Sequence, residues 1–223
     1  MKYRKLHWWD VDPEEAIRIQ NGLKKYISLE ASFKEIKRIA GADATYHNGM
    51  TIAGVVVLEY PSLKIIESKC SVFPLTFPYI PGLLSFREGP ALLNTFEKVE
   101  NEPDLIMFDG QGISHPRRMG IATHLGILMN KPSIGCAKSI LIGNYISPGE
   151  KRGEYVFLKD GEDTLGVILR TKEGASPLFI SPGNKIDILA SIEMVLKCTG
   201  GYRLPEPLRQ AHLFVKQLKR YVE

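Results

Sequence analysis

The sequence predicts an α/β protein built on a central mixed sheet, and three observations carry that prediction. A continuous apolar run, Leu105-Ile106-Met107-Phe108, leads straight into Asp109-Gly110-Gln111-Gly112, the pattern of a strand buried on both faces that ends in a tight turn at the sheet edge. Ahead of it, three strand-like segments are separated by the turn signals His47-Asn48-Gly49 and Tyr60-Pro61-Ser62, which implies three sequential antiparallel strands. Behind it, the helical run Ile121 to Met129 leads to a short apolar segment, Pro132 to Ala137. Strand, helix and strand in that order imply a parallel pair with a right-handed crossover.

The elements follow in order. Asp12-Pro13-Glu14-Glu15 supplies a capping side chain, a proline at the first helical position and acids in the first turn, so a helix starts there and runs to about Tyr26. Arg38 to Tyr46, Thr51 to Glu59 and Leu63 to Val72 are the three antiparallel strands. Phe77-Pro78-Tyr79-Ile80-Pro81-Gly82 is a stiff loop with an apolar tip, because its prolines and glycine exclude regular structure. The segment from Leu83 to Val99 is helical, with Pro90 either kinking one helix or starting a second and so setting Glu88 at a structural break. After the parallel pair, Asp160-Gly161 joins two alternating segments, Tyr155 to Leu158 and Thr164 to Arg170, as a hairpin. Leu178 to Ile180 is a brief strand, and Ser181-Pro182-Gly183-Asn184 caps a helix reaching about Lys197. Pro205-Glu206-Pro207 starts a last helix whose stripe of Leu208, Ala211, Val215 and Leu218 faces inward, with His212 at its border.

Composition bounds the function. With 223 residues, 44% hydrophobic and 24% charged, the chain is expected to be one soluble domain over residues 1–223. A net charge of +4 permits a polyanionic partner without demanding one. Cys70, Cys136 and Cys198 are odd in number and widely spaced, which argues against a disulfide framework or a zinc site. No apolar leader and no stretch of membrane-spanning length is present, so a cytoplasmic protein without a membrane partner is expected. No long apolar stripe is left unexplained, and a monomer is the default.

Asp43 lies among alanines on the first strand, where a charge needs a partner. If that strand neighbours the one ending in Asp109, two carboxylates converge at depth and a divalent cation such as Mg²⁺ is the natural counter-charge. Lys138, at the end of the second parallel strand, would steady a phosphate nearby, while Glu88 and His212 add ligand or proton-transfer capacity. Taken singly, each residue has a bland account as a turn acid, a surface ion pair or a core histidine.

Three motifs in this order, Phe77-Pro78-Tyr79-Ile80-Pro81-Gly82-Leu83-Leu84-Ser85-Phe86-Arg87-Glu88, then Asp109 to Arg117, then Gly135-Cys136-Ala137-Lys138-Ser139, resemble the endonuclease V family. The resemblance implies a ribonuclease H-like fold and a Mg²⁺-dependent enzyme, with Mn²⁺ as substitute. It implies a DNA strand nick one nucleotide beyond a deaminated base on its 3′ side, with deoxyinosine preferred and 3′-hydroxyl and 5′-phosphate ends left. By the same resemblance Asp43 and Asp109 bind metal, and Glu88, Lys138 and His212 complete the catalytic set. Pro78, Tyr79, Ile80 and Pro81 form a wedge that fills the gap left by an extruded nucleotide. Leu84, Gly110, His115, Gly120 and Ile121 line the pocket for its base. Three readings compete: a structure-selective nuclease of the same fold, a nuclease directed at inosine in RNA, and a binder of damaged nucleic acid that does not cut.

Overall fold

The computed structural model describes residues 1–31 and 35–221. In chain order the elements are α1 (Pro13–Leu23), a single 3-10 turn (Lys24–Tyr26), β1 (Arg38–His47), β2 (Met50–Glu59), β3 (Ile65–Pro74), α2 (Leu84–Glu97), β4 (Leu105–Phe108), α3 (Ile121–Met129), β5 (Ser133–Ala137), β6 (Tyr155–Asp160), β7 (Asp163–Leu169), β8 (Leu178–Asn184), α4 (Ile188–Lys197) and α5 (Glu206–Leu218). All eight strands join one sheet in the order β3-β2-β1-β4-β5-β8-β7-β6. The first three are antiparallel, β1, β4 and β5 run parallel, and the far flank returns to antiparallel pairing.

Strand alternation sorts the core into two layers. Ala40, Ala42, Val55, Val57, Ile106 and Phe108 face α2 and α3, where they meet Leu92, Phe96 and Leu125. Ile39, Leu105 and Met107 face the opposite way, toward Val195 of α4 and Leu208 of α5. The central strands are therefore covered on both faces, as their unbroken apolar runs require. The first helix starts as its sequence indicates, with Asp12 Oδ1 accepting from the Glu15 N–H at 2.8 Å.

Two details differ from the sequence expectation, and one choice that it left open is decided. β3 begins at Ile65 and not Leu63, because Leu63 takes a φ of 55° and donates its N–H to the Glu59 carbonyl at 2.8 Å, prolonging the turn. Of the two readings left open for Pro90, a single helix is the one found. α2 runs through it, and burial of Phe86, Ala91, Leu92 and Phe96 around it outweighs the roughly 3 kcal/mol that an interior proline costs. The run Ser181-Pro182-Gly183-Asn184 is the second half of β8 and not a helix cap. β7 pairs with β8 only as far as Ile180, so Pro182 has a strand on one side alone, where a missing N–H does no harm. The cap of α4 is Asp187, which accepts from the Ala190 N–H at 2.7 Å.

Candidate active site

The parallel pairing of β1 with β4 sets Ala42 opposite Phe108. β1 runs on past the end of β4, so Asp43, still paired with Gly54 of β2, lies beside Asp109, the first residue beyond β4, and the Asp109 N–H donates to the Ala42 carbonyl at 3.2 Å. Asp43 belongs to the register that faces α5. Two residues earlier, a Cβ on Gly41 would lie 2.0 Å from the Pro207 carbonyl oxygen, so only glycine lets the start of α5 rest directly on β1. That seat brings His212 Nδ1 to 3.0 Å from Asp43 Oδ2. Lys138, immediately beyond β5, pairs its ammonium with Asp109 Oδ2.

One ligand atom each from Asp43, Asp109 and His212 lies within 4.8 Å of the others. This set is electrostatically uncomfortable by itself. Burial and then the neighbouring Asp109 raise the Asp43 carboxyl above its ordinary range, with His212 and Lys138 pulling it partway back. Two carboxylate oxygens and one imidazole nitrogen suit a small divalent cation, and Mn²⁺ accepts such a nitrogen more readily than Mg²⁺ does. The donor chemistry fits the metal expected.

Glu88 stands apart from that trio. It projects from α2 on the other side of the sheet and is fully enclosed. Burial, with the charges of Asp43 and Asp109 added, pushes its carboxyl up to about 8. Its Oε1 accepts from the Tyr46 hydroxyl at 2.5 Å, and the Arg87 guanidinium lies 4.5 Å from the centre of the Tyr46 ring. Tyr46 was not anticipated. The signal was present, since an even-numbered position on β1 must face α2, but it needs the strand-to-helix register that only the fold supplies.

Beside the carboxylates opens a cavity of about 340 Å³ whose lining includes both Asp109 and Lys138. Tyr79, Ile80, Pro81, Leu84, Gly110, His115, Gly120 and Ile121 all contribute to its wall, whereas Pro78 does not. Gly110 has a φ of +151°, and a Cβ there would sit 2.7 Å from Ile121 Cγ2, so a side chain at this turn would fill the space. Tyr79 is 72% exposed at the rim. His115 ties the walls together: Nε2 lies 2.8 Å from the Gly82 carbonyl and Nδ1 accepts from the Arg117 N–H at 3.1 Å. Burial drives its imidazole down to about 4, so the ring is neutral with its proton on Nε2. Ser85, Gln111, Met119, Ser139, Ile140 and Leu141 also line the cavity and escaped the sequence reading. They flank residues that it named, yet nothing in their spacing announces which way they point.

The chain is similar to known proteins over nearly its whole length. The family model for Endonuclease V matches residues 21–213. Endonuclease V of Dehalococcoides mccartyi is 49% identical over 220 residues, covering 98% of this chain and 99% of its own length. The crystal structure of Endonuclease V from Bacillus subtilis superposes with a TM-score of 0.95 at 31% identity, covering 99% of this chain and 98% of that one. Endonuclease V of Ciona intestinalis, in complex with a 24mer DNA containing an inosine followed by a ribo-adenosine, matches with a TM-score of 0.81 at 27% identity, covering 94% of this chain and 98% of that one. On a family match through most of its length, and on close relatives that it covers almost end to end, the chain belongs to the Endonuclease V family.

Proposed function

We propose that this protein is a metal-dependent DNA repair endonuclease that recognises deaminated bases, chiefly deoxyinosine. It hydrolyses the second phosphodiester bond 3′ to the lesion and leaves 3′-hydroxyl and 5′-phosphate ends. It works as a monomeric, single-domain enzyme of the cytoplasm. The observation that carries this reading is the shared wall: a base-sized cavity and a carboxylate cluster meet at Asp109 and Lys138, so a nucleotide seated in the one holds its backbone against the other.

Asp43 and Asp109, with His212 beside them, would hold Mg²⁺, for which Mn²⁺ substitutes. When bound, the ion supplies a Lewis acid for phosphate and water oxygens. The chain's own groups do the rest. His212 fixes the orientation of the Asp43 carboxylate through its 3.0 Å contact. Lys138 offers a mobile cation to a phosphate oxygen. Glu88, whose carboxyl is held near 8, can take up or give back a proton close to neutral pH. Tyr79, flanked by Pro78, Ile80 and Pro81, fills the gap in the stack as the lesion turns out. Leu84, Gly110, Gly120 and Ile121 enclose the extruded base. His115 spends both ring nitrogens on Gly82 and Arg117, so its part is to hold the wall in shape.

A DNA partner is supported by the inosine-containing DNA bound to the Ciona intestinalis relative. The ribo-adenosine that follows the inosine in that oligonucleotide favours a second reading, action on inosine in RNA, and parallel assays on the two backbones separate them. The test uses end-labelled duplexes that differ by a single deoxyinosine, incubated with Mg²⁺ or with a chelator. One metal-dependent cut on the 3′ side of the inosine is expected. Asp43→Asn and Asp109→Asn should each lower nicking by more than about a hundredfold while duplex binding persists. Full activity in either variant would remove the metal-site assignment.

A further inference from the structure

Two polar side chains of the cavity each hold an oxygen that is left with lone pairs only. Gln111 lines the cavity, and its Nε2 donates to the Ser139 carbonyl at 2.9 Å. A carbonyl only accepts, so this contact fixes which way the amide faces. Its Oε1 is left buried with no hydrogen-bond partner. A buried acceptor without a donor is costly, and one on a side chain that lines a cavity is available to a donor on a bound molecule.

Ser85 reaches the same condition by a longer route. His7 Nδ1 lies 2.8 Å from the Trp8 carbonyl and must carry the proton there, which leaves His7 Nε2 bare. That atom is 2.8 Å from His124 Nε2, so the proton between them belongs to His124. His124 Nδ1 is therefore bare as well, and at 2.8 Å it takes the hydroxyl proton of Ser85. Burial holds both imidazoles below their ordinary range, in keeping with the neutral forms that this chain of bonds requires. Ser85, which also lines the cavity, keeps only oxygen lone pairs.

We propose that Ser85 and Gln111 are specificity-determining residues, whose oxygens are acceptors alone and so select a base whose edge carries a ring N–H. The inference rests on the lesion-nuclease reading and deepens it. Deamination of adenine replaces a ring-nitrogen lone pair at position 1 by an N–H. Hypoxanthine then satisfies an acceptor that adenine would leave facing another lone pair, and a polar site rejects an unmatched partner far more strongly than an apolar wall does. The N-terminal residues His7 and Trp8 enter recognition through this relay, since they decide which tautomer faces Ser85.

The test compares deoxyinosine with deoxyadenosine, because guanine carries the same ring N–H. It adds an analogue of hypoxanthine with C–H in place of N–H at position 1. Nicking is measured with Mg²⁺, and duplex binding with a chelator present. For the unaltered protein the analogue should be cut and bound about tenfold less well than inosine; equal handling of the two overturns the proposal, whatever any variant does. Ser85→Ala and Gln111→Leu should each reduce inosine cleavage by about tenfold and erase most of the difference between inosine and the analogue. Ser85→Thr, which keeps the hydroxyl, should restore it. Variants that fold and retain the full difference would also overturn the assignment. Failure of the unaltered protein to prefer deoxyinosine over deoxyadenosine would instead sink the lesion reading beneath it.

Discussion

Tyr46 acts on the site through one hydroxyl. Its bond to Glu88 favours the charged carboxylate, against the burial and the two aspartates that raise it. Tyr46→Phe should therefore push the Glu88 carboxyl higher still. If Glu88 accepts a proton during turnover, the acid limb of the pH–rate profile moves to higher pH and the rate at neutral pH falls by about tenfold for each pH step of one. An unmoved limb would take Glu88 out of proton transfer. At this scale the charges set in or just beyond apolar strands were legible, because such a charge has few reasons to be there: Asp43, Asp109 and Lys138 announce themselves. His212 could be suspected from its place on a helical stripe. Tyr46, Ser85 and Gln111 could not, since each depends on which neighbour another element brings up to it.

Among the elements, α5 against β1 decides whether His212 reaches Asp43. The contact is backbone on backbone at Gly41, and no side-chain adjustment can relieve a methyl group 2.0 Å from the Pro207 carbonyl. Gly41→Ala should cost about 3 kcal/mol, the upper part of the range for overpacking, and should separate His212 from Asp43. Urea unfolding measures the first effect; nicking per folded molecule, at a concentration where the variant is native, measures the second. A stable variant of normal activity would show that α5 can shift without consequence. The strands and helices themselves were readable from periodicity. What misled was the proline at position 182, where the strand continues, and what stayed open was the one at position 90, because in each case packing outside the local window decides.

The whole molecule carries its buried histidines uncharged. The His115 imidazole is near 4 in the fold against 6.5 unperturbed, so as pH falls below about 6.5 the unfolded chain takes up the proton first. The stability that neutral His115 contributes is complete above about 6.5 and is lost progressively down to about 4, on the order of 3 kcal/mol in all. His7 and His124 are lowered in the same direction and deepen the loss. Denaturant midpoints at pH 7.5 and 4.5 should differ accordingly, and His115→Gln should narrow the gap. An equal midpoint at both values would mean that these rings are charged in the fold. At this scale the sequence disclosed the antiparallel opening, the parallel centre and the β6–β7 hairpin, whereas the pairing of β8 with β5 and β7 and the joining of all eight strands in one sheet rest on long-range contacts that local patterns do not encode.

The pairing of β1 with β4 unites the two aspartates using the first half of the chain, while the histidine is borrowed from α5, far along it. A product cut short before α5 would therefore own both carboxylates without the segment that backs β1 and steadies Asp43, so truncation parts the acidic pair from the imidazole beside it.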